Sequence, residues 1–324
     1  MYFYDETHFK LNPMSKRIAV MDLGTNTFHL LIAEGCASDY KALVHEHDSV
    51  KLGEGGINKG VIQQASYDRG IASMEKFGED IRKYNVKNVR AIATSALRNA
   101  CNGQAFIDEV ADKTGINIEL INGVQEAEYI YRGVKLAGGI THQTTLIMDI
   151  GGGSVEFILG NEHSILWKQS FEIGAARLMD KFHRDDPIPQ DSIQALNLYL
   201  EEHLTSLIAV ASKYPVDLLI GSSGAFETFA ELNERSRNNY FDLNIKNYDF
   251  ELNALLSLIE KLIHSSHNER RNTKGIIPIR VDMIVVASLI TRFIIARLAI
   301  KRVCMSTYSL KEGVLAEMMD QHQT

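Results

Sequence analysis

One pattern of eleven residues occurs twice. Asp22-Leu23-Gly24-Thr25-Asn26-Thr27-Phe28-His29-Leu30-Leu31-Ile32 matches Asp149-Ile150-Gly151-Gly152-Gly153-Ser154-Val155-Glu156-Phe157-Ile158-Leu159, 127 positions further on. Each copy is an apolar run ending in Asp, then a glycine-bearing turn, a small hydroxyl residue and a second apolar run. Such a hairpin exposes backbone N–H groups that can grip a phosphate, beside a carboxylate that can hold a cation. Two of them suggest similar half-molecules facing each other across a cleft, and phosphate chemistry within it.

A phosphoanhydride hydrolase needs phosphate donors, a cation, a base for water and a group that neutralises the leaving phosphate. Gly151, Gly152, Gly153 and Ser154 can present consecutive N–H groups with no Cβ in the way. Gly24, Thr25 and Asn26 can do the same and add two polar side chains. No GxxxxGK[ST] run is present, so this is not a P-loop. Asp22 and Asp149 each end a strand. Hard oxygen ligands facing phosphates suit Mg²⁺, and a cap on the glycine turn is the competing reading.

Two glutamates are candidate bases. Glu126 opens a helix at the junction of the halves, and Glu156 projects from the strand after the triple glycine. Either can orient or deprotonate water, although a first-turn carboxylate is also favoured by the helix dipole alone. Arg98, just past the strand end at Thr94-Ser95, can form a bidentate phosphate contact or sit on the surface. Arg270, Arg271, Lys274 and Arg280 could form a patch for a long polyanion, with a solvated loop the favoured reading. Gly53-Glu54-Gly55-Gly56 reads as a plain turn. His29, His45, His47 and His183 show no metal spacing, and His47-Asp48 has no companion motif.

The elements that must position these groups alternate in both halves. Ile18–Leu23, Phe28–Glu34 and Asp39–Val50 read as strands, and Tyr67–Tyr84 keeps helical spacing. Val89–Thr94 (strand), Gln104–Lys113 (helix), Ile116–Ile121 (strand) and Gln125–Leu136 (helix) complete the first half. The second restarts with strands at Thr145–Ile150, Val155–Leu159 and Ser164–Phe171 and a helix at Gly174–Phe182. A long helix over Asp191–Tyr214 is expected, with Asp191 as its N-cap. A strand at Val216–Ile220 and helices at Phe250–Ser265, Asp282–Ala299 and Lys311–Gln321 follow, with a strand at Val303–Ser306. This predicts two α/β domains with mixed sheets covered by helices: a tail over 1–15, one domain over 16–130 rejoined by the helix at 311–324, and a second over 131–310. A short hinge is expected near Gly123–Gly139.

The 324 residues suffice for two cores. A net charge of −7 excludes a generic polyanion binder, so a local basic patch must draw any phosphate-rich ligand. Cys36, Cys101 and Cys304 lie far apart and read as free thiols of a reducing, cytoplasmic compartment. The acid-bearing N-terminus is not a signal peptide, and Met14 is an alternative start. Charges interrupt the apolar run Val281–Ile300, which therefore reads as a buried helix and not a membrane span.

Taken together, these stretches resemble the exopolyphosphatase and guanosine pentaphosphate phosphohydrolase family. The resemblance rests on VMDLGTNTFHLLIAE (Val20–Glu34), VKLGEGG (Val50–Gly56), AIATSALRNA (Ala91–Ala100), IELINGVQEAEYIYRGV (Ile118–Val134), IMDIGGGSVEF (Ile147–Phe157), FEIGAARL (Phe171–Leu178) and IGSSGAFET (Ile220–Thr228), in family order. It implies two ribonuclease H-like domains of the actin, Hsp70 and sugar kinase superfold, with the active site in the interdomain cleft. It implies Glu126 as catalytic base. Asp22, Asn26, Asp149, Gly151, Gly152, Gly153 and Ser154 would hold phosphates and Mg²⁺, Glu156 would bind metal or water, and Arg98 would contact phosphate. The implied substrates are polyphosphate and guanosine pentaphosphate, with no nucleic acid polymer and no membrane as partner, and a homodimer is implied. Three departures stand out. Gln125 replaces a frequent acid, Lys311 stands where Arg is common, and Ala287 where Gly is frequent. The chain also resembles the short form, with no room for the helical HD-type domain of long members. Two other readings stay open: a non-catalytic sensor of the same ligands, and a kinase of the same superfold using the Gly221-Ser222-Ser223-Gly224 turn.

Overall fold

The structure is a computed structural model and describes residues 17–37, 39–242 and 244–320. The tail expected over 1–15, Met14 included, lies outside the described residues.

The first half contains β1 (Arg17–Leu23), β2 (Phe28–Cys36), β3 (Asp39–Asp48), α1 (Gln64–Lys83), β4 (Asn88–Ala93), α2 (Ser95–Asn99), α3 (Gly103–Thr114), β5 (Ile118–Leu120) and α4 (Gly123–Leu136). Its sheet has the order β3-β2-β1-β4-β5. The tight turns give antiparallel pairs β1–β2 and β2–β3, and the helical crossovers give β4 and β5 parallel to β1. Alternate residues of β1 enter opposite layers. Ala19, Met21 and Leu23 pack under α1 and α3 residues such as Phe77 and Phe106, while Ile18 and Val20 face α4.

The second half contains β6 (Thr145–Ile150), β7 (Val155–Gly160), β8 (Ile165–Phe171), α5 (Ala175–Phe182), α6 (Gln190–His203), α7 (Thr205–Ala211), β9 (Leu218–Ser222), α8 (Gly224–Ser236), β10 (Asn247–Phe250), α9 (Leu252–His264), α10 (His267–Asn272), α11 (Met283–Arg297), β11 (Arg302–Ser306) and α12 (Leu310–Asp320). Its sheet order is β10-β11-β9-β6-β7-β8. Apart from the extra edge strand β10, β8-β7-β6-β9-β11 repeats β3-β2-β1-β4-β5 in order and direction. The duplicated motif is β1–β2 in one sheet and β6–β7 in the other. These are the two ribonuclease H-like domains of the actin-like superfold.

Between the sheets lie α4 and α12. Val20 and Ile92 of one sheet, and Ile147 and Ile220 of the other, close on Ile130 and Val134 of α4 and on Val314 and Leu315 of α12. The two helices touch backbone to backbone. A Cβ at Gly133 would lie 1.9 Å from the Ser309 carbonyl oxygen, and one at Gly313 would lie 1.9 Å from that of Tyr129. Glu317 ties the far end, accepting from Arg90 (2.7 Å), Tyr129 (2.8 Å) and Arg132 (2.8 Å). The segment expected to hold a hinge is one continuous helix up to Leu136, and Gly138 at φ 81° ends it.

Two local expectations need correction. The helix expected over Asp191–Tyr214 breaks at Leu204, which leaves helical geometry (φ −98°, ψ 17°) and allows Leu200, Leu204 and Leu207 all to bury. Asp191 is not its N-cap: extended Pro189 takes that position and Asp191 sits in the first turn. The apolar run at 281–300 forms α11, with Met283 to Thr291 all buried. No helix among the described residues is long and apolar enough to cross a membrane.

Candidate active site

The β6–β7 turn owes its exposed N–H groups to what its carbonyls do. The carbonyls of Gly151, Gly152 and Gly153 accept from Ala175, Ala176 and Gly174 at 2.9, 2.9 and 3.2 Å, and so satisfy the first N–H groups of α5. Across a planar trans peptide the following N–H points the opposite way. Gly152, Gly153 and Ser154 therefore aim their N–H groups away from α5 and into the cleft, whose wall they form. Gly174 has to be glycine, because its Cβ would lie 2.4 Å from the Gly152 carbonyl.

The β1–β2 turn is backed in the same manner. Lys51 N–H donates to the Asn26 carbonyl at 2.8 Å, and Gly53 N–H to that of Thr25 at 3.0 Å. The N–H groups of Asn26 and Thr27 are left facing the cleft. The segment Gly53–Gly56, read from sequence as a plain turn, is thus the support of a phosphate-type turn. A Cβ on Gly53 would strike Thr25 Cγ2 at 2.6 Å.

The two turns meet. A Cβ on Gly152 would fall 2.2 Å from Asn26 Nδ2, and one on Gly153 would fall 2.5 Å from Ser95 Oγ. Asn26 Nδ2 also donates to Met283 Sδ at 2.9 Å, which ties the first turn to α11. Gly152→Val is therefore expected to push the halves apart at the mouth of the cleft and leave both cores intact. Displacing reacting groups by about 1 Å costs about 10²-fold in rate. The check is kcat/KM beside thermal unfolding, and an equal loss of stability and activity would argue against a role in binding.

Four of the predicted carboxylates converge. Asp149 and Glu156 are opposite partners in the β6–β7 ladder, and Asp22 holds the equivalent place opposite His29. Asp149 accepts three hydroxyls, from Ser222 at 2.6 Å and from Ser223 and Ser309. Ser223 reaches it from φ 70°, ψ 171°, a backbone region that is essentially glycine-only and costs about 1–3 kcal/mol. The Gly221–Gly224 turn, weighed from sequence as a nucleotide contact, thus spends both serines on Asp149. Glu156 accepts from Ser170 at 2.6 Å. Burial, then the Asp149 charge, push the Glu156 carboxyl up to about 8, against the pull of the Ser170 and Ser154 bonds. Burial likewise lifts Asp22 to about 7, opposed by Lys311 and aided by Asp149.

Glu126 is delivered by the head of α4. Asn122 caps the helix, accepting from Val124 and Gln125 N–H at 3.0 and 2.9 Å, while Gln125 Oε1 accepts from Asn122 N–H at 3.0 Å. Gln125, where relatives often carry an acid, thus completes the cap without adding charge. The next residue, Glu126, is buried; burial first, then Glu156, raise its carboxyl well above the usual range, and Arg98 opposes them. Arg98 lies against Glu126. Its guanidinium donates to the Ile121 carbonyl (3.0 Å), to Glu126 (3.2 Å) and to Glu172 (3.2 Å). Three of its five N–H donors thus meet protein acceptors, and through Glu126 it acts as a positioning group.

Other members of the site escaped sequence reading. Arg280 and Lys311 line the cleft with Glu227. A Cβ on Gly224 would lie 1.7 Å from Arg280 Nη2, so that glycine makes the space through which the guanidinium reaches the cleft. The solvated-loop reading of the basic run fails for Arg280 and also for Arg270, which is 1% exposed and donates to Asp186 and to the Val281 carbonyl. Lys311 pairs with Glu312 at 3.1 Å and its charge acts on Asp22. His29 stands where the second copy has Glu156, and burial, then Lys311, hold it neutral. Glu172 and Arg177 bridge the halves: Glu172 accepts from Ser95 at 2.9 Å, and Arg177 donates to the Ile57 carbonyl at 3.2 Å and to Glu172 at 2.7 Å.

The resulting cavity is about 140 Å³. In its walls five carboxyl groups (Asp22, Glu126, Asp149, Glu156 and Glu227) face two cations, Arg280 and Lys311. Oxygen donors in excess of cations, three of them with carboxyls raised by burial and then by one another, form a donor set that fits a hard divalent cation.

Comparison with known proteins agrees with this architecture. A sequence model described as the Ppx/GppA phosphatase family matches residues 31–322. A crystal structure described as an exopolyphosphatase from Cytophaga hutchinsonii shares 41% identity, covers 94% of this chain and 98% of its own, and has a TM-score of 0.91. A Haemophilus influenzae protein whose exopolyphosphatase name is itself provisional is 28% identical over 93% of this chain and 90% of its own length. A guanosine-5'-triphosphate,3'-diphosphate pyrophosphatase from Photobacterium profundum is 27% identical over 68% of this chain, a match spanning 44% of that protein. With the family model matched over most of the described sheets and helices, the chain belongs to the Ppx/GppA phosphatase family.

Proposed function

We propose that this chain is a divalent-cation-dependent phosphohydrolase that releases the terminal phosphate of inorganic polyphosphate, or the 5' phosphate of guanosine pentaphosphate. The observation that carries the reading is the convergence of two N–H-bearing turns, one from each half, on the cavity that Glu126 enters. The names of the relatives supply the substrate class.

The turn N–H groups, with Arg280 and Lys311, bind the non-bridging oxygens of the terminal phosphoryl group. Glu126, oriented by Arg98, accepts the proton of the attacking water; its raised carboxyl makes it a stronger base than an ordinary carboxylate. Glu172 and Arg177 hold the halves together during the reaction and keep bulk water out. Asp22, Asp149 and Glu156 would hold Mg²⁺, which when bound offsets charge on the anhydride.

The test is phosphate release from polyphosphates of several lengths and from guanosine pentaphosphate, with Mg²⁺ and with chelator. Mg²⁺-dependent release ranks the substrates. Binding without release would replace the hydrolase by a sensor.

The cation part has its own check. Folded Asp22 (about 7) and Glu156 (about 8) retain protons that the unfolded chain gives up near their ordinary values, 3.8 and 4.5. The folded state thus binds more protons in that window, and cation-free stability falls as pH rises from about 4 to about 8. Mg²⁺ binds the deprotonated groups, so its increase in Tm should be larger at the upper end of the window than at the lower. A Tm increase independent of pH would count against these ligands.

A further inference from the structure

Away from the cleft, two loops bring together two imidazoles and a carboxylate. His142 lies in the connection before β6, and Glu162 and His163 lie in the β7–β8 turn. Glu162 Oε1 is 2.7 Å from His142 Nδ1 and 3.4 Å from His163 Nε2. The rings are 5.6 Å apart, and one ligand atom from each residue lies within 4.8 Å of the other two. The backbone beneath them is tied from several sides. Glu162 N–H donates to the Thr141 carbonyl at 2.9 Å, Asn161 Oδ1 accepts from His163 and Ser164 N–H at 2.9 and 3.1 Å, and Tyr131 of α4 donates to the Asn161 carbonyl at 2.6 Å.

We propose that His142, Glu162 and His163 form a binding site for a borderline transition-metal dication, Zn²⁺ foremost, with water completing the coordination. Two nitrogens and one oxygen are the donors that such metals take, whereas Mg²⁺ and Ca²⁺ take oxygen alone. Tetrahedral Zn²⁺ with ligands about 2.0–2.2 Å away sets donors about 3.4 Å apart, which is the His163–Glu162 spacing. His142, 81% exposed and 2.7 Å from Glu162, is free to back away by the roughly 0.7 Å required. The site lies beyond the β6–β7 ends remote from Asp149 and Glu156; the β6 end at Thr145 is itself roughly 13 Å along the strand from Asp149. Its metal clamps the connection before β6 to the β7–β8 turn, and through Tyr131 to α4; it does not touch the substrate.

The test uses untagged protein in excess Mg²⁺, which occupies the carboxylate donors of the cleft. Zn²⁺ is titrated calorimetrically and Co²⁺ by its visible absorption. Wild type and a His203→Ala control should bind one equivalent, and His142→Ala/His163→Ala should bind more than about 100-fold more weakly with unaltered phosphate release and circular dichroism. Absence of a stoichiometric site in wild type, or equal affinity in the double variant, would overturn the proposal and leave a hydrogen-bonded surface trio.

Discussion

Glu126→Gln should lower phosphate release by about 10²–10⁴-fold, the usual contribution of a positioned base, while leaving substrate affinity and thermal stability near those of wild type. Glutamine keeps the volume of the side chain and an oxygen for the Arg98 donor at 3.2 Å, so geometry survives and basicity is lost. The pH profile separates this from a packing effect. A base works only when deprotonated, and the Glu126 carboxyl sits well above its ordinary value. The acidic limb of kcat should therefore lie well above the ordinary carboxylate range in wild type and flatten in Glu126→Gln. Arg98→Ala removes the charge that opposes that rise and should move the limb to higher pH without abolishing turnover. Activity in Glu126→Gln within a factor of about 10 of wild type would shift the base role to Glu156, the other candidate of the sequence reading.

What could be read from the sequence was what local chemistry determines. The glycine turns at Gly24 and Gly151 are hairpin signals, and their repetition announced the duplicated sheet before any strand order was known. Glu126 was legible because a strand, a turn and a helix start are local signals too, and the resemblance gave it its role. Arg98 was found, but its partners were not, since Glu126 and Glu172 reach it from other elements. Arg280 looked like one charge in a loop. Its entry into the cleft depends on an absent Cβ at Gly224, far away in the chain. The three hydroxyls on Asp149 come from β9, the residue after it, and the approach to α12, a convergence that no spacing rule encodes. The break at Leu204 was hidden for the opposite reason: the helical spacing continues through it, and only burial demands the bend.

The glycines of the central helix pair show how such non-local determinants carry energy. Gly313→Ala should destabilise the fold by about 3 kcal/mol, the upper part of the usual overpacking range, although alanine is the better helix former by about 1 kcal/mol. The new Cβ meets the Tyr129 carbonyl at 1.9 Å, a backbone atom held in α4 that cannot rotate away as a side chain would. The helices must part. Gly133→Ala meets the Ser309 carbonyl at the same 1.9 Å and should cost a similar amount. Because either substitution opens one shared contact, the second should add little to the first, and the double variant should be clearly less destabilised than the sum. Denaturant unfolding of the four proteins measures this coupling. Activity should fall with stability here, unlike in Glu126→Gln. Parting the helices moves Glu126 at the head of α4 away from Ser309 and Lys311 at the head of α12, and these flank the same cavity. Additive losses, or an unshifted midpoint in Gly313→Ala, would show that α4 and α12 are not held at backbone contact, and would remove the physical reason for two glycines in mid-helix.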